Sequence, residues 1–167
     1  MKATYAHVFN CDADTFWNKL FLDPDYNRAL FLEGLKFPEY EVLEERDTGA
    51  TVVRRVRVRP KQDAPAVVQK AVGGSFSYVE EGTFDKAAKR YRFKVITATM
   101  ADKIRSEGEL RVEPVGDKRI KRIIDMTVEV KIFGIGGIVE GFVSKSMQDN
   151  YDQAAAFSNK WIADKGL

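Results

Sequence analysis

At 167 residues, 44% of them hydrophobic and 31% charged, the chain reads most simply as one soluble domain over 1–167, large enough for a substantial core. A net charge of only +2 gives nucleic-acid binding no support. No apolar run approaches the roughly 20 residues that cross a bilayer, and Met1 opens directly on an alternating pattern with no leader-like segment, so a cytoplasmic protein is expected.

Ala3 to Phe9 alternates as a strand, with Tyr5, His7 and Phe9 on one side and Thr4, Ala6 and Val8 on the other. Asp12 or Asp14 then caps a short helix carrying Phe16, Trp17 and Leu20, and Asp23 with Pro24 opens a second through Tyr26, Ala29, Leu30 and Phe31, ending near Gly34. From Phe37 the period falls to two, predicting strands over 37–46, 51–59, 76–84, 90–100, 103–113 and 119–132. Between them, Ala66 to Val72 reads as a short helix bounded by Pro65 and Gly73-Gly74.

The final segment, from Gly136 to about Asp164, reads as one amphipathic helix. Val139, Val143, Met147, Asn150, Ala154 and Trp161 recur at helical spacing, widened by Phe142, Tyr151, Ala155 and Ile162. At about 1.5 Å per residue it is roughly 45 Å long, enough to cross a whole sheet and cover its core face. Its small residues Ala154 to Ala156 and the polar Ser146 and Asn150 make it less tightly apolar than a purely core-filling stripe, so space is expected beneath it.

Register sharpens the faces. Val52, Val56 and Val58 share a side with Arg54, whereas Arg55, Arg57 and Arg59 take the other. For Tyr40 and Val42 to join the valines, the preceding turn needs an odd number of residues, most simply Thr48-Gly49-Ala50. That sets Glu41 against Arg57 and Glu39 against Arg59, so the arginine run is read first as cross-strand ion pairing, the other reading being a patch for an anionic membrane or acidic partner.

Across the remaining strands the inner face carries Phe76, Tyr78, Glu80, Gly82 and Phe84, then Tyr91, Phe93, Val95 and Thr97, then Ile104, Ser106, Gly108, Leu110 and Val112, and lastly Ile120, Arg122, Ile124, Met126 and Val128. Glu44, Arg54, Glu80 and Arg122 are charged exceptions. Such groups must pair, reach the rim or face a ligand-filled space, and Arg54 is expected beside Glu80 or Glu44. A mostly apolar pocket with a few polar groups is how small-molecule sites are built.

This order of one strand, two short helices, six strands and a long C-terminal helix resembles the helix-grip fold of the START-like superfamily, also called SRPBCC or Bet-v-1-like, over essentially the whole chain. Phe9 through Tyr26, with Asp12, Phe16, Trp17, Asp23 and Tyr26, looks like the opening of bacterial members. Tyr78-x-Glu80 and Ile132-Phe133-Gly134-Ile135-Gly136-Gly137 look similar to an uncharacterised bacterial subgroup. The resemblance implies an α+β fold, a curved seven-stranded antiparallel sheet wrapped around the C-terminal helix, with a deep cavity between them for lipids or other hydrophobic molecules. The superfamily also includes cyclases, hydratase-like enzymes and chaperone activators, so fold alone does not fix activity.

Catalytic residues are not evident in the sequence. His7, the single histidine, has no Ser or Cys at nucleophile spacing; Cys11, the single cysteine, excludes an internal disulfide and is read as a buried or neutral thiol; and no metal ligands cluster. Asp12, Asp14, Asp23 and Asp25 sit where helix caps are needed, and Gly134 to Gly137 lacks the Lys-Ser/Thr of a phosphate loop. The expected activity is therefore binding of a lipid or other hydrophobic small molecule without a cofactor, as a carrier. The ligand site is assigned to Arg54, Tyr78, Glu80, Phe93, Thr97, Ser106, Arg122, Met126, Val143, Met147 and Asn150. A gate is assigned to Val67, Val68 and Gly73 in one segment and Phe133, Ile135 and Gly137 in the other, with Arg59, Lys61 and Lys70 placed to approach an anionic membrane. The alternatives are a cofactor-independent cyclase or dehydratase using Glu80, Arg54 and Tyr78 on a polyketide-like or aromatic substrate, and a protein-interaction module with a filled core.

Overall fold

The computed structural model describes residues 1–61, 64–72 and 76–167. Strand β1 (Lys2–Phe9) leads into two short helical segments. In the first, α1 (Ala13–Thr15), the Asp12 carboxylate accepts from the Thr15 amide at 2.8 Å, and the chain continues as wider π-type turns over Phe16–Phe21. In the second, α2 (Pro24–Ala29), Asp23 caps the Tyr26 amide at 2.7 Å, Pro24 takes the first turn, and Leu30–Gly34 again widen to π-type turns. The wider winding turns Phe16, Trp17 and Leu20 into the core.

Strands β2 (Glu39–Asp47), β3 (Thr51–Arg59), β4 (Tyr78–Asp85), β5 (Arg90–Thr97), β6 (Ile104–Gly116) and β7 (Arg119–Val130) follow, with α3 (Ala66–Val72) between β3 and β4. They form one seven-stranded antiparallel sheet in the order β1-β7-β6-β5-β4-β3-β2. Helix α4 (Gly136–Lys165) lies across it and ends on Gly166, whose φ of 64° is the left-handed conformation a C-terminal cap needs. Val139, Ala154, Ala155, Ser158 and Ile162 form its buried stripe. No helix among the described residues is long and apolar enough to cross a membrane.

The β2–β3 hairpin reaches the expected outer pairs by another route. Glu39 faces Arg59 and Glu41 faces Arg57, each as an ion pair, at 3.3 and 2.7 Å. The turn, however, holds four residues between the pair Asp47 and Val52, and a bulge between Val42 and Glu44 absorbs the slip. Thr48 and Thr51 close this turn through a hydroxyl–hydroxyl contact at 2.8 Å, with Gly49 at φ 90°. The bulge also exchanges the faces beyond Leu43. Glu44, placed inward by simple alternation, instead stands opposite Arg55, more than a third exposed and paired with Arg46. Glu45 takes the position opposite Arg54.

Two glycines let aromatic rings lie flat on the concave face. A Cβ at Gly82 would overlap the Tyr91 ring, and one at Gly108 would stand 2.8 Å from both Phe93 Cζ and the Asp125 carbonyl. Tyr91 and Phe93 stack beside one another at 5.6 Å. Trp17, Phe21 and Phe84 close over them, so this end of the grip is a dense aromatic core.

Candidate functional site

Strand register arranges the inner face in rows running from β3 to β7. Val56, Glu80, Val95, Ser106 and Val128 form one row. Arg54, Gly82, Phe93, Gly108 and Met126 form the next, toward the aromatic core, and Tyr78 and Thr97 stand on the other side, toward α3 and the start of α4. Val143, Met147 and Asn150 stand partly buried on the helix. The close backbone neighbours of α4 are β1, β7 and the turns at Leu30–Gly34, so it leans to one edge of the sheet and leaves the floor made by β4 to β6 less closely covered.

Glu80 is the chemical centre of this floor. Tyr91 donates to its Oε1 at 2.8 Å. Burial pushes the carboxyl above the ordinary glutamate range, and the more distant charge of Arg54 and the Tyr91 bond offset this only in part. Tyr78 and Tyr151 face the same carboxyl, and burial and its charge raise both phenols. Tyr151 donates to Met126 Sδ, a weak acceptor, at 3.4 Å. Glu80, Tyr78 and Tyr151 are each partly buried.

The raised Glu80 value has a consequence for stability. A carboxyl whose folded value exceeds its unfolded one supports the fold below the unfolded value of about 4.3 and loses that support as pH rises through the folded one. Glu80→Gln, which cannot ionise, is therefore expected to be less penalised than wild type at neutral pH. In urea unfolding, its stability relative to wild type should rise as pH increases above about 4.3. A difference constant with pH would mean that Glu80 is ionised in ordinary solvent.

Arg54 has different partners from the carboxylates its sequence position suggests. It is 4% exposed, donating to the Phe21 carbonyl at 3.0 Å, Asn27 Oδ1 at 3.2 Å and Tyr40 Oη at 2.9 Å. Neither Glu80 nor Glu44 lies within ion-pair distance among the described residues. Burial works against its charge, but Tyr40, Tyr91, Glu80 and Glu45 together hold it above the usual arginine value. Asn27 is the joint: its Nδ2 also donates to the Leu20, Phe21 and Asp23 carbonyls, so Arg54 fastens the short helices to β3.

Arg122, also buried, forms a second polar group at the β1–α4 seam. It donates to His7 Nδ1 at 3.2 Å and the Tyr151 carbonyl at 3.5 Å, and its guanidinium lies over the Phe9 and Tyr151 rings. An arginine can only donate, so His7 Nδ1 accepts and Nε2 carries the proton given to Asp152 at 2.7 Å. Burial lowers the Arg122 value. Among the other sequence-assigned residues, Thr97 turns to the Thr99 carbonyl at 2.7 Å, Ser106 Oγ is buried with no partner among the described residues, and Phe93 and Met126 are buried. Tyr91, Tyr151, Asn27 and Tyr40 were not singled out by sequence; Tyr91 alone carried a signal, as a large ring diagonal to a glycine on the next strand.

The two segments assigned to a gate meet at one end of the grip. Val68 and Val139 form a small buried cluster that includes Ile132, Ile135, Phe142 and Val143. Val67, Phe133 and Ile138 point outward, with Phe133 fully exposed. Nothing crowds Gly137, and Gly73 lies outside the described residues. Two hollows, of about 580 and 390 Å³, lie instead on the outer face of the sheet, behind Gly108 and Gly82, and are lined by paired charges such as Arg92 with Glu109.

Residues 4–162 match the family described as "Protein of unknown function (DUF2505)". The chain belongs to this family. Comparison with curated proteins gives no match. Among solved structures, a Thermus thermophilus protein is similar at 21% identity and a TM-score of 0.66, covering 100% of both chains. The Zhui aromatase/cyclase of Streptomyces sp. R1128 is similar at 12% identity and a TM-score of 0.66, over 97% of this chain and 95% of the other. A START superfamily protein of Mycobacterium smegmatis is similar at 14% identity and a TM-score of 0.60, over 95% of each chain. This DUF2505 chain thus has the START-like helix-grip fold; likeness at these identities carries the fold alone.

Proposed function

We propose that the chain binds a lipid or other hydrophobic small molecule between the concave face of β4 to β6 and helix α4. The observation that carries this reading is the set of partly buried polar side chains Tyr78, Glu80 and Tyr151 between the concave face and α4, each with its pKa raised by burial. A mostly apolar space with a few oriented polar groups suits an amphipathic ligand. The orphaned Ser106 hydroxyl on the same row adds a polar group in want of a partner. The chain shares its fold with a START superfamily protein and an aromatase/cyclase.

Entry is assigned to the end where Val68, Ile135 and Val143 form a small cluster separate from the main core. Phe133, Val67 and Ile138 there offer apolar contact to a membrane while Lys61 and Lys70, both exposed, approach anionic headgroups, each worth about 1 kcal/mol. Arg59 is withdrawn from that role by its pair with Glu39.

The reading is tested by titrating a neutral hydrophobic fluorophore, N-phenyl-1-naphthylamine, into wild type and into Val143→Trp. Wild type should bind saturably, and the variant, with an indole in the same space, about tenfold more weakly while retaining its circular dichroism. Equal affinities, or no saturable binding by wild type, would defeat it. Catalysis is a second reading with its own support: the raised carboxyl of Glu80 beside Tyr91 suits a general acid on an enclosed substrate.

A further inference from the structure

The concave face carries three basic side chains, and all three are committed to the protein. Arg54 gives Nη1 to the Phe21 carbonyl and Nη2 to Asn27 and Tyr40, and its Nε is buried with no partner among the described residues. Arg122, on the far side of the floor, gives Nη2 to His7 and to the Tyr151 carbonyl; its Nε is buried likewise, and its guanidinium lies over the Phe9 and Tyr151 rings. His7 in turn is held by Asp152 at 2.7 Å. On α4, Lys145 and Lys160 turn outward to Asp149 and Asp164. Glu80 differs from all of these. It is only partly buried, on the part of the floor that α4 covers less closely, and it accepts from Tyr91 at 2.8 Å without an ion pair among the described residues.

We infer that Glu80 makes the interior a filter against negative charge: the hydrophobic molecule it takes has an uncharged or basic polar end, and fatty acids are turned away. This rests on the reading that a ligand binds between β4 to β6 and α4. The filter works in either protonation state of Glu80. Ionised, it repels a carboxylate across a space of low polarity; protonated, it supplies no counter-charge, and an unpaired carboxylate taken out of water is costly. Arg54 could supply that charge only by leaving Phe21, Asn27 and Tyr40, the contacts that fasten the short helices to β3. A hydroxyl meets no such barrier, because it donates to a carboxylate and accepts from a carboxylic acid. An ammonium always finds a partner, since Glu80 can release its proton and pair with it.

The test displaces bound N-phenyl-1-naphthylamine at pH 8 with three competitors of one chain length: 1-decanol, protonated decylamine and decanoate. Any apolar interior favours the alcohol over an ion, so the two ions make the decisive comparison. Wild type should require at least about tenfold more decanoate than decylammonium for equal displacement. Glu80→Gln, close in shape and still an acceptor for Tyr91, should close that gap or reverse it, chiefly by weakening decylammonium. Equal displacement of the probe from wild type by the two ions would overturn the filter while leaving the interior site standing. A gap that survives unchanged in Glu80→Gln would also overturn it, assigning the discrimination to charges outside the site. No saturable binding of the naphthylamine by wild type would remove the interior site and the filter with it.

Discussion

Arg54→Met is expected to destabilise the fold by about 3 kcal/mol or more, against less than about 1 kcal/mol for Arg57→Met. The two arginines stand on the same strand with opposite surroundings. Arg57 is 44% exposed and its pair with Glu41 is wet, so solvent replaces what is lost. Arg54 is buried, and removing it leaves the Phe21 carbonyl, Asn27 Oδ1 and Tyr40 Oη without their donor at the junction of β3 with the short helices. Each stranded buried group costs about 1 to 3 kcal/mol. In urea unfolding the midpoints should separate clearly, with similar slopes. Small and equal losses would place Arg54 in solvent.

Gly82→Val is the other change with a large expected effect. Its side chain would occupy the place of the Tyr91 ring, which would then have to leave Glu80, Phe93 and Phe21. Overpacking together with a broken buried hydrogen bond amounts to about 3 kcal/mol. The cause is separable by a double-mutant cycle: in a Tyr91→Leu background, from which the ring has gone, the same glycine substitution should cost about 1 kcal/mol or less. A cost unchanged by Tyr91→Leu would show that the strain lies in the backbone and not against the ring.

The periodicities of two and 3.6 made most of the fold legible, because each strand buries one face and α4 buries one stripe. The hairpin shows where alternation stops being sufficient. A bulge at Leu43 leaves no mark in the hydrophobic pattern of Glu39 to Asp47, yet it turns Glu44 outward and brings Glu45 opposite Arg54. The site was legible as a set of inward polar residues but not as a network. Arg54 meets Asn27 and Tyr40, from elements far away in the chain, and the partner of Glu80 is Tyr91, two residues along β5 from the position facing Gly82. Such partners depend on the diagonal reach of side chains across strands, which register alone does not reveal. The π-type turns after α1 and α2 were likewise invisible to a 3.6-residue reading.

The central claim is that the interior holds a hydrophobic molecule, and native mass spectrometry of protein purified without detergent tests it most directly. The account predicts a species heavier than the 18.9 kDa chain by the mass of one small molecule, which organic extraction releases and which returns when the extract is added back to stripped protein. A spectrum of the bare chain alone, unchanged after incubation with hydrophobic extracts, would contradict it.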